Sequence, residues 1–275
     1  MSGDPEMAGR EPAGARHRNV PVAMEIDGRS ATLERLSTIA PSGYGHFTAM
    51  QVRQRQVRGL GLHLDRLDAA NREMFGAGLD AARVLGHIRH ALGERTADAS
   101  VRVYVLEAPG GPAVVVTVRP PGAMPAGPWR LRTVPYQRPL PHLKHAGDFG
   151  QGYFQRQARR EGFDEALLTG PDGTICEGSI TNIGFSDGAS VVWPAAPVLD
   201  GITMQILERM LPGHGMPSQR LPVRVSNLGS FTAAFVTNAR GIAPVGRIDD
   251  LTLPVNEALM NTLTEAYESG GWDPL

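Results

Sequence analysis

The chain has 275 residues, 41% of them apolar and 20% charged, with a formal net charge of −1. That length holds one large domain or two modest ones with a sizeable core, and the charge balance excludes the basic footprint of a nucleic-acid or anionic-membrane binder. No apolar run approaches the roughly 20 residues of a membrane span, and the single cysteine, Cys176, excludes an intramolecular disulfide and a cysteine-built metal site. Residues 1–20 carry no apolar core of a secretory signal and read as a disordered tail rich in Gly, Pro and Arg, so the expected compartment is the cytoplasm. Residues 21–58 hold two or three short strands, among them Phe47–Val52 and Gln56–Leu60. His63–Phe75 is helical, with Leu64, Leu67, Met74 and Phe75 near one face, and a second helix covers Leu79–Leu92. Ser100–Glu107 and Ala113–Arg119 form a hairpin across Pro109-Gly110-Gly111-Pro112. Pro120–Pro128 then reads as a linker, which gives a small lobe over 21–120, a linker over 121–129 and a larger lobe over 130–275.

The second lobe opens on a strand, Arg130–Pro135, and continues with a helix over Phe149–Glu161 that stops at Gly162. Hairpins follow at Glu165–Thr169 with Thr174–Glu177 and at Ile183–Phe185 with Val191–Trp193. A helix over Ile202–Leu211, a strand at Ala233–Thr237 and a last helix over Asn256–Ser269 complete an α+β (or α/β) pattern in two lobes.

Lysine and arginine total 27, and Lys144 is the only lysine. Arginine therefore replaces lysine nearly everywhere, except that a guanidinium cannot form an imine with a carbonyl. The sole lysine is either a leftover surface residue or a residue kept for that chemistry. Glu177, at the end of a strand, is either a solvated terminal charge or the partner of a pyridine nitrogen, which it would keep protonated. Gly201-Ile202-Thr203 opens a helix, where free N–H groups and the positive end of the helix dipole suit a phosphate. The turn Thr237-Asn238-Ala239-Arg240-Gly241 is a second phosphate candidate. Arg66, on the polar side of the first helix, is either solvated or a bidentate phosphate ligand from the other lobe.

In this order the pieces resemble the class IV (fold-type IV) pyridoxal-phosphate (PLP) enzymes, which include branched-chain and D-amino-acid aminotransferases and aminodeoxychorismate lyase. The matching residues are H-L-D-R-L at 63–67, Lys144 roughly thirty residues ahead of Glu177-Gly178-Ser179-Ile180-Thr181-Asn182, Gly201-Ile202-Thr203, and the T-N-x-x-G-I-x-P-V stretch at 237–245. The resemblance implies a small and a larger α/β lobe, the larger with a barrel-like sheet, and a cofactor between them in a homodimer. It implies a Schiff base on Lys144, Glu177 against the ring nitrogen, and phosphate contacts from Arg66, Ile202 and Thr203, with Asn238 and Ala239 adding to them.

The chain departs from the aminotransferase pattern at Thr48, where an acidic residue often stands, at Met204 in place of an arginine, and at Phe149 in place of a tyrosine. Phe47-Thr48 and Asn238-Ala239 are closer to the lyase branch. Three activities are open at this level: an aminotransferase acting on amino acids or amines and 2-oxo acids, a PLP lyase, and a non-catalytic dimeric binding protein on the same fold. For an aminotransferase, His46, Arg53 and Arg240 are the candidates for the substrate carboxylate. No metal is expected.

Overall fold

The computed structural model describes residues 21–39 and 43–275; the tail expected over 1–20 lies outside them. The chain starts with β1 (Ala23–Ile26) and β2 (Arg29–Ser30), turned at Asp27-Gly28 with both φ angles positive, as a right-twisted hairpin requires. Next come α1 (Leu33–Ile39), β3 (Gly45–Arg53) and β4 (Gln56–Val57), then α2 (Leu60–Phe75) and α3 (Ala81–Leu92). Asp80 caps α3 by accepting from the Ala82 and Arg83 amides, the usual remedy for unpaired N–H groups at a helix start. The expected hairpin is β5 (Ala99–Leu106) with β6 (Ala113–Arg119). Burial alternates strictly along β3 from His46 onward and along β5, so one face packs on α2 and α3. That core holds Met50, Val52, Leu67, Val84, Ile88, Val101 and Val103.

The second half contains β7 (Trp129–Val134), α4 (Phe149–Arg160), β8 (Glu165–Thr169), β9 (Ile175–Gly178), β10 (Asn182–Ser186), β11 (Val191–Pro194) and α5 (Ile202–Met210). β12 (Ser218–Leu221), β13 (Ala233–Asn238), β14 (Gly241–Ile248), β15 (Leu251–Thr252), α6 (Glu257–Ser269) and β16 (Asp273–Pro274) complete it. Among the described residues the large sheet runs β12-β11-β10-β13-β14-β7-β8-β9, with β15 on β14, and mixes parallel with antiparallel pairs. β8, β9, β10 and β11 are buried along their whole length, as strands covered on both faces must be. Leu131, Leu167, Ile183, Val236 and Val245 fill one core, while Trp193, Phe235, Leu207 and Leu263 form another that includes residues of α5 and α6.

Several elements escape the sequence pattern. α1 is only seven residues long, below the length at which helical periodicity shows. β12 is a polar edge strand. β14 carries Pro244 inside the sheet, where a proline cannot donate to the ladder; its pairing to β7 begins at Val245, past the proline, and a bulge follows. The lobe boundary also differs from the expected 130–275 range. β16 pairs with β4, Leu275 N donates to Arg55 O (3.0 Å), and the Leu275 side chain packs on the first core, so the last residues return to the small sheet.

Candidate active site

Strand alternation sorts β3 into two faces. His46, Thr48, Met50 and Val52 are buried, whereas Phe47, Ala49, Gln51 and Arg53 are half-buried on the opposite face. On that face Gln51 Oε1 accepts from Gly122 N (2.9 Å) and Arg53 Nη2 donates to Gly122 O (2.9 Å), which fastens the inter-lobe linker to the sheet.

The loop after β7 pairs along the first half of β3. Phe47 N donates to Lys144 O (2.9 Å) and Ala146 N donates to Gly45 O (2.8 Å), with His46 and His145 paired across the bridge. Gly45 is required here, since a Cβ would lie 2.3 Å from Val105 O. The loop is shaped by Arg138, an almost fully buried side chain that no sequence motif marks. Its guanidinium donates to Pro141 O (2.8 Å), Leu143 O (2.7 Å) and Glu177 Oε1 (3.0 Å). Leu140, between these anchors, takes a left-handed φ of 46° that a branched side chain adopts only under constraint.

Lys144 emerges from this loop with Nζ 4.8 Å from the centre of the Phe47 ring. Burial, then the Arg66 and Arg138 guanidinium groups, push its amine down to about 7, against a smaller opposing pull from Glu177. Glu177 is buried at the end of β9. Burial raises its carboxyl, and Arg138 and a hydrogen bond from Leu199 N (3.3 Å) offset part of that rise.

α2 brings the cationic side. Its N-cap Gly59, with φ 65°, lies where a Cβ would meet Ile202 Cγ2 at 3.1 Å, so the starts of α2 and α5 pack together. One turn in, His63 Nδ1 shares a 2.6 Å hydrogen bond with Thr48 Oγ1, and Arg66 Nη2 donates to the same oxygen. Burial lowers the Arg66 guanidinium to about 10, and its Nε is buried without a partner. Arg66 is thus turned inward, not solvated on a polar helix face. A desolvated cation with an open donor is suited to an anion.

The helix start at α5 reaches the neighbourhood of Arg66 through His63: Ile202, Thr203, Ala239, His63, Met50 and Gln51 line one depression. Thr203 Oγ1 donates to Asn238 O (2.8 Å), which ties α5 to the β13–β14 turn. Asn238 Oδ1 in turn accepts from Arg240 N (2.8 Å), and the Thr237 hydroxyl is buried without a partner. Asn182, the last residue of the E-G-x-x-x-N run, donates to Leu199 O (2.7 Å), and a Cβ on Gly201 would lie 1.9 Å from its Oδ1. The run and the helix start therefore specify each other.

The structure brings Arg66 and Glu177 each within electrostatic reach of Lys144, and places Ile202, Thr203 and Ala239 in one depression, with Asn238 tied to it through Thr203. The three substrate-carboxylate candidates fare differently. His46 lies on the buried face of β3 with Thr48, bonded to Asn71 Oδ1 (3.4 Å), and burial lowers its imidazole to about 4, which disfavours a cation there. The Arg53 guanidinium is taken up by Val52 O, Gln51 Oε1 and the linker. Arg240 is exposed at its turn and senses Glu165, Arg102 and Arg159.

The family model for amino-transferase class IV matches residues 45–248. A probable branched-chain-amino-acid aminotransferase of Synechocystis is 31% identical over 120 residues, 41% of this chain and 39% of that protein. A second, from Rickettsia felis, is 29% identical over 129 residues, 46% and 43%. The chain thus spans about two fifths of the length of the curated relatives it matches. Among solved structures, the branched-chain aminotransferase of the thermophilic archaeon Thermoproteus uzoniensis with norvaline superposes with a TM-score of 0.80 at 19% identity, covering 91% of this chain and 95% of that one. A putative 4-amino-4-deoxychorismate lyase from Legionella pneumophila gives 0.77 at 19%, covering 88% and 96%. A hypothetical aminotransferase from Mycobacterium tuberculosis, PLP-bound, gives 0.75 at 19%, covering 92% and 95%. These likenesses establish the two-lobed fold of fold-type IV, and with the family match over 45–248 the chain belongs to the class IV aminotransferase family.

Proposed function

We propose that this protein is a PLP-dependent aminotransferase that moves an amino group between an amino acid or amine and a 2-oxo acid. The observation that carries the reading is Lys144: the sole lysine, its amine lowered to about 7 between the Phe47 ring, Arg66 and Glu177. The donor set fits the cofactor. Arg66 with its unpartnered Nε, the first N–H groups of α5, the orphaned Thr237 hydroxyl and the Ala239 turn suit a phosphate, and Glu177 suits a pyridinium nitrogen. Bound there, PLP supplies an electron sink conjugated with the substrate Cα.

The chain's residues supply the rest. Lys144 Nζ, lowered toward neutrality by burial, would be the amine that anchors the cofactor and would hold and return a substrate proton. Glu177 would hold the ring nitrogen in its charged form, and Arg138, which donates to Glu177 Oε1, opposes the rise that burial causes in that carboxyl. Phe47 covers one side of the amine and keeps water off it. Residues 21–120, joined by the C-terminal strand, act as the small lobe and the rest of 130–275 as the large lobe, and two copies form the working dimer.

The test is Lys144→Arg, which retains charge and cannot form an imine. The expected result is loss of borohydride-fixable PLP and of turnover; retained turnover overturns the reading. A PLP lyase is the second reading, favoured by Thr48, by the Asn238-Ala239 pair and by the likeness to the Legionella lyase. An amino donor added alone separates the two. The aminotransferase converts stoichiometrically to the pyridoxamine form, whereas a lyase keeps the aldehyde form and releases pyruvate only from an aminodeoxychorismate-type substrate. A binding protein without catalysis does neither.

A further inference from the structure

The E-G-S-I-T-N run contains three residues, Ser179, Ile180 and Thr181, that no step above uses. Beneath them lies Glu165, the first residue of β8, with no measurable exposure. Its Oε1 accepts from Ile180 N (2.6 Å) and Ser179 Oγ (3.1 Å), and its Oε2 accepts from Thr181 Oγ1 (2.9 Å). A buried carboxylate is costly unless its lone pairs are filled, and here one turn of chain fills three. Burial still pushes the carboxyl up to about 7.

The network extends into α4. With the Gln155 amide oriented as its neighbours demand, its nitrogen donates to Ser179 Oγ and its oxygen accepts from Arg159 Nη2 (3.0 Å) and Nε (3.2 Å). A cation thus reaches Glu165 through two neutral groups. The glycine of the run is fixed by the same atoms, since a Cβ on Gly178 would lie 2.8 Å from Glu165 Oε1 and 2.2 Å from Thr181 Oγ1.

The turn that Glu165 grips joins the two ends of the candidate cofactor cradle. Glu177 directly precedes it. Asn182 directly follows it and sets Leu199 and Gly201. Between them, Ile180 O accepts from Asn238 Nδ2 (3.4 Å), and Asn238 O accepts from Thr203 Oγ1. A shift of the turn therefore displaces the ring-nitrogen end and the phosphate end together.

We propose that Glu165 is a positioning residue for the cofactor cradle, which holds the Gly178–Thr181 turn and through it sets Glu177 on one side and the Asn182–Gly201 and Asn238–Thr203 pairs on the other. The proposal rests on the cofactor reading above. Glu165 touches neither cofactor nor substrate, and it differs from an ordinary satisfied carboxylate in what its removal should change.

The experiment compares the full-length wild type with Glu165→Gln, Glu165→Ala and Thr181→Val. It measures the PLP dissociation constant, the 31P shift and visible maximum of bound PLP, and hydrogen exchange at residues 179–181 without PLP. Glutamine keeps an oxygen for Ile180 N–H and offers an NH2 to the Thr181 hydroxyl, which reverses to accept it; its dissociation constant should stay within about threefold of wild type. Alanine should raise it by about tenfold or more, with the 31P shift and visible maximum both moved and exchange at Ile180 accelerated. Thr181→Val, nearly isosteric, should move the same readouts by about threefold and covers the case in which the alanine variant does not fold. Wild-type spectra and exchange in both Thr181→Val and any folded Glu165→Ala overturn the proposal, as does a fall in melting temperature with no spectral change. If wild-type protein takes up no PLP, the cofactor reading fails and with it the cradle; faster exchange at 179–181 would then show Glu165 only as a scaffold residue.

Discussion

Lys144 illustrates how far one residue can be read without a structure. Its singularity among 27 basic residues is visible in the composition, and so is the carboxylate that follows it. Arg138 is not. It is one arginine among many, and its significance lies in three acceptors that the chain brings together only on folding. Glu165 and the Thr48–His63–Arg66 chain are hidden for the same reason: nothing marks a polar residue as buried until its neighbours are known. The depressed amine makes a direct prediction. Only the neutral amine attacks a carbonyl, so the rate at which the protein freed of PLP takes it up covalently should rise with pH and level off above about 7. A surface lysine would keep gaining rate up to about 10. Stopped-flow absorbance across pH 5.5–9.5 separates the two, and a rate still climbing at pH 9 would refute the assignment.

At the level of elements, the helices and hairpins with strong periodicity are legible in the sequence, and the first core follows from strand alternation. What stays hidden depends on pairing rather than on local pattern: β14 with its internal proline, the polar edge β12 and the C-terminal strand β16. The start of α5 shows why a helix N-terminus alone carries little information. Its specificity comes from Asn182, which leaves no room for a side chain at position 201. Gly201→Ala should therefore force Asn182 off Leu199 O. The expected cost is about 1–3 kcal/mol of stability, typical of overpacking, with at least a tenfold weaker PLP affinity. Urea unfolding and a PLP titration measure the two, and wild-type affinity would mean that Asn182 does not set the helix start.

For the whole molecule, buried histidines set an acid limit. His46 is lowered to about 4 and His63 well below its usual value, both chiefly by burial, and Arg66 adds to each. The unfolded chain binds protons at these sites from about pH 6.5 downward, whereas the folded chain does not until a lower pH. These two sites therefore cost stability as pH drops from about 6.5 toward 4, while Glu165, raised to about 7 by burial, contributes in the opposite sense over the same range. His46→Gln, which keeps a hydrogen bond to Asn71 without a titrating group, should reduce the histidine cost in urea midpoints between pH 7 and 4.5. An unchanged slope would place the acid sensitivity elsewhere.

The bridge between β3 and residues 144–146 has a mechanical consequence. The segment that presents the amine is itself hydrogen-bonded to the small sheet, while Arg53 and Gln51 fasten the linker to the same sheet. The two lobes therefore cannot swing apart as rigid halves without peeling Lys144 off its support. Access to the cleft would then run past side chains and short loops at its rim.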